Sequence, residues 1–552
     1  MLTMSIWLQR AAIAATLLFA IFVRGDALSE SNYWYDEAIT ALRVAGHTEM
    51  EVWTYGESRT AFPIGELKQF VQVTGATTTK DTVQSLAVED SQHTPFYYVL
   101  ARWWCLAFGS SIAAGRALAV VFSVLALAAM YWLCLELFVL TGAFESRLVC
   151  WAGVLLLAIS PYQVAIGREH REYSMWALTT LCVCAALLRA MRLNQVSAWA
   201  LYALAVIVSV YTHLFTILML AFLGVFLLAR ERFRPSRTVL SFAAASLAAA
   251  AACTPWFLIL LSRQKTAESS LGWVQDFTKG RFNLAISIKP ALEVANYSLW
   301  DSQKLLTDVV GFKITTALFH LLPVALLFGI WWFARGQRKA CAWFAAAMIC
   351  SVSGTLFALD MVTGGISGFA YRYAGPSNIG WLLALTLIIT AAVADAELPR
   401  GLVQAAVCVV VALSATSAVM THSAKHTFLK FWEPQPAILS HLNANTQASL
   451  VSDDFVGAMI ALGHEVRDGI PLTWHPRCYA CPRVVIPQLD IPFPGSAGMQ
   501  SLYFRTWINT PSTGLQALAD SMMVDQLGDP RFHSEVVKLE TLQENLFLLT
   551  PR

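Results

Sequence analysis

Long apolar runs recur along this chain, and short polar connections separate them. A helix of about 20 apolar residues matches the thickness of the hydrocarbon core of a bilayer, so each run predicts a membrane-spanning helix. The first run ends at Arg24-Gly25-Asp26 without a small-residue cleavage site, which favours an uncleaved helix over a signal peptide. The runs lie at 5–23, 116–138, 147–165, 174–191, 197–212, 214–230, 238–262, 314–334, 340–359, 376–395 and 401–420.

Basic residues in the short loops predict the orientation. If the N-terminus is cytoplasmic, every short cytoplasmic loop carries at least one Arg or Lys, as the positive-inside rule requires. The same parity places 24–115, 166–173, 263–313, 360–375 and the tail 421–552 on the outer face. The basic loop residues are Arg147, Arg189, Arg192, Arg230, Arg232, Arg234, Arg237, Arg335, Arg338, Lys339 and Arg400.

One apolar and aromatic stretch, from His93 to Gly109, does not fit this alternation. Its simplest interpretation is a twelfth spanning helix. That interpretation would reverse every later loop and destroy the pattern of basic cytoplasmic loops. We therefore expect a helix lying in the membrane interface, where Trp and Tyr are favoured.

Composition supports a membrane protein, since 57% of the residues are hydrophobic and only 13% are charged. A soluble protein carries about 25% charged residues. The basic residues form no patch of the kind that binds nucleic acid. Residues 421–552 differ from the rest, because β-like runs at 501–507 and 536–540 alternate with helical stretches such as 514–520. The sequence thus predicts an all-α polytopic membrane domain over 1–420 and a small extracytoplasmic α/β domain over 421–552.

Ionisable residues at the outer membrane edge are candidates for chemistry, because burying charge there costs free energy. Asp36 and Glu37 follow the first helix within an aromatic stretch, a setting that suits a carboxylate acting as a general base. The alternative is a solvated loop in which one of these carboxylates caps the next helix. The local pattern leaves both interpretations open.

Two further groups lie in outer connections. His93 precedes Pro95 at the head of the interfacial helix, where a structural histidine is the alternative to a functional one. Five consecutive ionisable residues, 168–172, fill the turn between two spans. Arg168 and Arg171 have the donor geometry to clamp a phosphate, unless the neighbouring glutamates simply neutralise them.

Two groups lie at the outer ends of spanning helices. His213 ends one helix, where its alternative role is a hydrogen-bonded helix-end residue. Arg372 stands between Tyr371 and Tyr373 just before a span, which suits a lipid-phosphate headgroup or a snorkelling anchor. Each signal is weak alone, but all of them face the same side, so one cleft is able to unite them.

Metal and cysteine patterns add little. The carboxylates are compatible with a divalent cation, although no spacing is diagnostic of one, and we expect no obligatory metal site. Cys478 and Cys481 form a close pair in a polar region, and zinc would need further ligands such as His475. Outside the membrane, a local disulfide between these two cysteines is the expectation.

The order of these motifs resembles that of the GT-C fold glycosyltransferases, in the branch that includes protein O-mannosyltransferases and lipid A aminoarabinose transferases. The resemblance covers roughly residues 1–420. Two motifs depart from the usual pattern, since His-Pro-Pro is replaced at 93–95 and Arg-Pro-Tyr at 171–173. The matching segments are Asp36-Glu37, His93-Thr94-Pro95, Ser160-Pro161, Arg168 to Tyr173, Tyr211 to Phe215, and Arg372 to Pro376.

The resemblance implies an inverting transfer of a sugar from a polyprenyl-phosphate donor to a hydroxyl of a glycan, lipid or protein. It implies a bacterial cytoplasmic membrane location, with the active site outside and Asp36 as the base. Glu37 and Glu169 are the other catalytic candidates. The substrate-binding candidates are His93, Arg168, Arg171, Tyr173, His213, Arg372 and Tyr373.

Two other function classes remain open from sequence. A transporter or flippase of polyprenyl-linked sugars would be expected to show inverted repeats and ionisable residues at mid-membrane. The sequence shows no internal repeat, and its ionisable clusters lie at the outer edge. A non-catalytic scaffold would lack any convergence of the charged residues into one cleft.

Overall fold

Helices dominate the protein, as a computed structural model of the chain shows. The helices in chain order are α1 Ile6–Gly25, α2 Tyr35–Ala45, α3 Glu49–Glu57, α4 Thr79–Glu89, α5 Pro95–Phe108, α6 Ile112–Cys134, α7 Leu148–Ile159, α8 Pro161–Ile166, α9 Tyr173–Leu193, α10 Val196–Val210, α11 Thr216–Arg230, α12 Arg237–Ser262, α13 Leu284–Tyr297, α14 Phe312–Phe333, α15 Arg338–Ile349, α16 Thr355–Thr363, α17 Gly375–Ala394, α18 Arg400–Ser423, α19 Pro436–Ala444 and α20 Val456–Glu465. The residues described are 6–144, 146–263, 284–301, 312–336, 338–365, 370–424, 436–444, 446, 448–452, 454–474, 501–506, 532–536 and 545–551.

All eleven apolar runs are helical, which confirms the predicted polytopic membrane fold. Within the described residues, seven helices are long and apolar enough to span a membrane, and four shorter apolar helices accompany them. The spanning set is α1, α6, α7, α9, α10, α11, α12, α14, α15 continued by α16, α17 and α18.

The centre of the bundle is formed by α9 and α17, the most buried of the long spans. Small residues let neighbouring helices approach α17 closely. A Cβ added to Gly380 would lie 2.5 Å from the backbone nitrogen of Ile349, so only glycine permits this contact. Close approach at small residues is the usual way in which spanning helices pack, because lipid offers no hydrophobic drive between them.

The outer segment between α1 and α6 folds into four helices, α2 to α5. Of these, α5 is the expected interfacial helix, and it is neither one of the seven candidate spans nor one of the four shorter apolar helices of the described residues. Its buried face carries Arg102, which donates to the carbonyls of Val44 and Ala45, at 3.1 Å each. Its other face exposes Trp103, Leu106 and Phe108, the kind of surface that an interfacial helix presents to lipid headgroups.

The tail contributes most of one mixed sheet of six strands in the order β1-β3-β2-β4-β6-β5. Strand β2 is parallel to both β3 and β4, and the other pairings are antiparallel. This α/β tail agrees with the predicted fold class, although the helix expected at 514–520 lies outside the described residues. The strands are β1 Phe62–Pro63, β2 Ala448–Ser452, β3 Pro471–Trp474, β4 Ser501–Thr506, β5 Phe532–Val536 and β6 Asn545–Pro551.

The tail and the outer segment share one apolar core. Strand β1 belongs to the outer segment and pairs with β3 of the tail. Leu42 and Leu67 of the outer segment pack in the same cluster as Ile460 and Leu472 of the tail. The described part of the tail is therefore joined to the segment that carries Asp36, although the chain reaches it only after the last span.

Candidate active site

Most of the predicted site residues converge at one end of the helix bundle. They come from the first turn of α2, the loop before α5, the start of α9, the turn between α10 and α11, and the turn before α17. The contacts described below join these five places into one cluster of buried and half-buried side chains. The cluster contains Asp36, His93, Arg171, Tyr173, His213, Arg372 and Tyr373.

Asp36 and Arg372 form the ion pair at the centre of the cluster. The Asp36 Oδ2 lies 3.5 Å from the Arg372 Nη1, and both side chains are buried. Arg372 also stacks over the ring of Trp34, with 5.6 Å between the guanidinium carbon and the ring centroid. Its turn is fixed by Tyr162, whose hydroxyl donates to the carbonyl oxygens of Tyr371 and Arg372.

Arg171 is the second arginine of the cluster, and it contacts α2. Its Nη1 donates to the Thr40 hydroxyl at 2.7 Å, and its Nη2 lies 3.3 Å from the Tyr173 hydroxyl. The Thr40 hydroxyl in turn donates to the carbonyl of Asp36 at 2.8 Å. Two buried guanidinium groups therefore flank the backbone and the carboxylate of Asp36, an arrangement able to stabilise an anion.

Glu172 is a member of the cluster that the sequence analysis had treated only as a partner for the arginines. It is 1% exposed, and its Oε1 lies 3.2 Å from the His93 Nδ1 and 3.3 Å from the Arg171 Nη2. Its Oε2 has no hydrogen-bond partner among the described residues. The departure from Arg-Pro-Tyr at 171–173 was the available signal, because a charged residue in place of proline at a membrane edge is costly.

Aromatic rings form one wall of the cluster. The imidazole of His213 stacks on the indole of Trp176, with centroids 3.9 Å apart and an interplanar angle of 12°. The rings of Tyr173 and Tyr373 each lie 6.1 Å from that imidazole. Flat apolar faces bordered by polar groups are the typical lining of a site that binds a small ligand.

Burial and charge set the protonation states in this region. Burial lowers the pKa of His213 to about 3 and that of His170 to about 4, so both imidazoles are neutral at pH 7. Burial alone would raise the pKa of Glu172, but the charge of Arg171 and the hydrogen bond from His93 outweigh it and lower that pKa. Glu172 is therefore ionised beside a neutral His213.

The structure does not bring Glu37 into the cluster. Its two carboxylate oxygens accept hydrogen bonds from Arg116 at 2.7 and 2.6 Å, and both side chains are fully buried. The backbone N–H of His170 donates to the same carboxylate at 2.9 Å. Glu37 thus ties α2 to α6 and to the turn before α9.

Arg168 also lies away from the cluster, at the C-terminus of α1. Its Nη1 donates to the carbonyl of Asp26 at 2.7 Å and lies 3.2 Å from the carbonyls of Val23 and Arg24. The last carbonyls of a helix lack partners within the helix, and a cation there also complements the helix dipole. The structure therefore separates the two arginines of the predicted phosphate clamp, because Arg168 contacts the end of α1 and Arg171 contacts α2.

Glu169 is a buried residue of the same turn and follows Arg168 in the sequence. It is 1% exposed and interacts electrostatically with the buried Tyr162, the residue that holds the turn of Arg372. It also interacts electrostatically with Arg116. Glu169 is therefore a buried carboxylate close to both Tyr162 and Arg116.

Two solved structures have folds similar to that of this chain. ArnT from Cupriavidus metallidurans, crystallised with undecaprenyl phosphate, matches 99% of this chain over 98% of its own length, with a TM-score of 0.50 and 13% identity. The chain has a GT-C fold. The archaeal oligosaccharyltransferase AglB from Archaeoglobus fulgidus, in complex with an inhibitory peptide and a dolichol-phosphate, matches 98% of this chain over 74% of its own, at a TM-score of 0.47 and 13% identity. No protein-family model and no curated protein sequence matches the chain significantly.

Two remaining predictions concern metal and cysteine sites in this GT-C fold. Over the described ranges, no group of three His, Cys, Asp or Glu side chains is placed to hold a metal ion. Cys478 and Cys481 lie outside the described residues, so their disulfide stays a prediction. Of the residues that carried the motif resemblance, one group surrounds Asp36 and Arg372, whereas Glu37 contacts Arg116 and Arg168 contacts the end of α1.

Proposed function

We propose that this protein is an integral membrane glycosyltransferase that moves a sugar from a polyprenyl-phosphate donor to an acceptor hydroxyl, with inversion. The observation that carries the proposal is the buried Asp36–Arg372 pair, 3.5 Å apart, beside a second buried arginine. A carboxylate base next to anion-binding arginines is the minimum that this transfer requires. The GT-C fold supports the same function, since ArnT of this fold was crystallised with undecaprenyl phosphate.

In the proposed reaction, the Asp36 carboxylate accepts the proton of the acceptor hydroxyl. The hydroxyl oxygen forms a bond to the anomeric carbon as the bond from that carbon to the phosphate oxygen breaks. The bonding electrons leave with the lipid phosphate, whose charge Arg372 holds with help from Arg171. Since the acceptor oxygen attacks the face opposite the leaving phosphate, the anomeric configuration inverts.

The other cluster residues hold the sugar. His93 and Glu172 offer a donor and an ionised acceptor on one side, and neutral His213 with Tyr173 and Tyr373 forms the other. Glu37 and Arg168 act as scaffold, because their contacts fix α1, α2 and α6 around the cluster. This assignment moves Glu37 out of direct catalysis and adds Glu172 to the sugar site.

Two arginines are sufficient to balance a lipid monophosphate, so an obligatory divalent metal is not part of the proposal. Dialysis against EDTA should leave turnover unchanged, and restoration of lost activity by Mg²⁺ or Mn²⁺ would contradict this. The chelator treatment needs a matched incubation without EDTA as its control.

We further propose that the cluster faces the extracytoplasmic side of a bacterial cytoplasmic membrane. The cluster and the basic loops lie at opposite ends of the spanning helices, as the positive-inside rule requires. In intact cells, a cysteine at Gly75 should react with an impermeant maleimide, and a cysteine at Arg234 should react only after permeabilisation. The reverse result would invert the topology.

The transferase is tested directly with the purified protein in detergent. The donor source is a total lipid extract from cells that lack the gene, because these cells should accumulate the unused donor. Mass spectrometry should find loss of a polyprenyl-phosphate sugar and gain of free polyprenyl phosphate when the wild-type protein and an extract of acceptor material are added. Unchanged lipid-linked sugars would contradict the proposal.

A further inference from the structure

The helix that carries Asp36 is held from two directions. The outer segment holds the C-terminal end of α2, where Arg102 donates to the last carbonyls of the helix. The tail contacts the other half, because Tyr35 and Ile39 share a helix face and both meet Gly457 of α20. The two parts of α2 therefore depend on different regions of the chain.

The contact at Gly457 is closer than any other residue would permit. A Cβ added there would lie 2.8 Å from Cε2 of the Tyr35 ring and 2.9 Å from Cγ1 of Ile39. Real Cβ atoms essentially never approach heavy atoms this closely, so the side chains of Tyr35 and Ile39, or the helices that carry them, would have to shift. Glycine inside a helix lowers the stability of that helix by about 1 kcal/mol relative to alanine. We therefore attribute the glycine at this position of α20 to its close packing against α2.

Further bonds fasten the tail to the start of α2 and to the segment that follows α3. The backbone N–H of Tyr33 donates to the Glu465 carboxylate at 3.0 Å. The N–H groups of Ile64 and Gly65 donate to the carbonyls of Ile470 and Asp468, at 2.9 and 3.0 Å. These bonds hold α20 in a fixed place over α2.

The faces of α2 link this contact to the cluster. Tyr35 and Ile39 face the tail, whereas the neighbouring pair Asp36 and Thr40 faces the two arginines. We propose that the tail acts as a clamp, in which Gly457 sets the position of α2 and thereby the distance from Asp36 to the phosphate-binding Arg372. Gly457 is then a positioning residue, and its effect on catalysis rests on the proposed role of Asp36.

The test compares two alanine variants within the tail. Gly457→Ala introduces the clash, whereas Gly469→Ala is the matched control, because nothing lies within 4 Å of a Cβ at that position. Hydrogen–deuterium exchange should become faster across residues 33–45 in Gly457→Ala and stay unchanged in the control. In the transfer assay, kcat should fall on the order of 10-fold or more in Gly457→Ala, since a displacement of about 1 Å can cost about 10²-fold.

Two further measurements distinguish a displacement of Asp36 from a general loss of folded protein. The dissociation constant for undecaprenyl phosphate should not rise, because Arg372 belongs to a different element from α2. In a background with Tyr35→Ala and Ile39→Ala, which removes both obstacles, Gly457→Ala should cause no further loss of kcat.

The outcomes distinguish the clamp from the transfer reaction. Unchanged exchange across residues 33–45 in Gly457→Ala would overturn the clamp, as would an undiminished loss of kcat in the Tyr35→Ala, Ile39→Ala background. A wild-type protein without any turnover would refute the proposed function, whereas the exchange measurement would still decide on the clamp.

Discussion

Replacement of Asp36 by Asn removes the proposed base and leaves the side-chain volume almost unchanged. The Asp36 carboxylate is within 3.5 Å of the Arg372 guanidinium, whereas the Glu172 carboxylate contacts His93 and Arg171. Loss of a general base typically slows a reaction by about 10²–10⁴-fold, or about 3–5 kcal/mol of transition-state stabilisation. We therefore expect kcat to fall by that factor in Asp36→Asn.

Donor binding should respond in the opposite sense. Two unit charges 4 Å apart attract by about 4 kcal/mol at an effective dielectric constant of about 20, although desolvation offsets much of this. In the free protein, the Asp36 carboxylate therefore competes with a lipid phosphate for Arg372. The neutral amide of Asn removes this competition, so the affinity for polyprenyl phosphate should be equal or higher in the variant.

The assay measures single-turnover release of polyprenyl phosphate and, separately, equilibrium binding of polyprenyl phosphate. Asp26→Asn is the matched control, since Asp26 is also a carboxylate at the outer end of α1 and pairs with His422 at 3.5 Å, away from Arg372. It should retain wild-type turnover. Turnover within about threefold of wild type in Asp36→Asn would refute the reasoning and would direct attention to Glu172 and Glu169 as the base.

Three further predictions test the rest of the account. Arg372→Ala should weaken polyprenyl-phosphate binding and lower kcat, because Arg372 would contact the phosphate in both ground and transition states. Unchanged binding in an equilibrium titration would contradict this and would move the proposed phosphate site to Arg171. Glu37→Gln should lower the free energy of unfolding by about 3–5 kcal/mol, because it removes the carboxylate that pairs with the buried Arg116. Thermal unfolding should show this loss in Glu37→Gln. The control Glu51→Gln should show no such loss, because the Glu51 side chain is 51% exposed. Burial lowers the pKa of His170 to about 4, so the unfolded state binds more protons than the folded state below pH 6.5. The free energy of unfolding should therefore fall as the pH drops from 7 towards 4. His170→Gln should reduce that fall by up to about 3 kcal/mol, and a pH profile identical to that of the wild type would contradict the prediction.

The membrane fold could be predicted from sequence because its signals are local and long. A run of about 20 apolar residues is able to do little other than span a bilayer. The arginines of the short loops then predict which end of each spanning helix faces the cytoplasm. The same parity placed Asp36, His93, Arg171 and Arg372 on one side. The distances between them depend on helix packing, which no local pattern encodes.

Neighbouring residues acquired different contacts for geometric reasons. Asp36 and Glu37 are adjacent on a helix, so their side chains point about 100° apart, one towards Arg372 and the other towards Arg116. Arg168 and Arg171 likewise separate, one to the end of α1 and the other to α2. Sequence identified the charged motifs but could not assign each charge to its partner.

The joint core of the tail and the outer segment was also beyond sequence reasoning. Strand β1 is only two residues long, Phe62–Pro63, and carries no alternation that would reveal it. Its pairing with β3 joins residues about 400 positions apart in the chain. A boundary at 421 therefore marks a change in secondary structure, while the packing continues across it.

The most direct test of the proposed transfer is an analysis of lipid-linked sugars in cells. Polyprenyl-phosphate sugars are quantified by mass spectrometry in cells that lack the gene and in the same cells complemented with wild type, Asp36→Asn or Asp26→Asn. We predict that one polyprenyl-phosphate sugar accumulates in the deletion and in Asp36→Asn, and that wild type and Asp26→Asn restore its normal level together with the corresponding envelope glycan. Equal levels of every polyprenyl-phosphate sugar in all four strains would contradict the account.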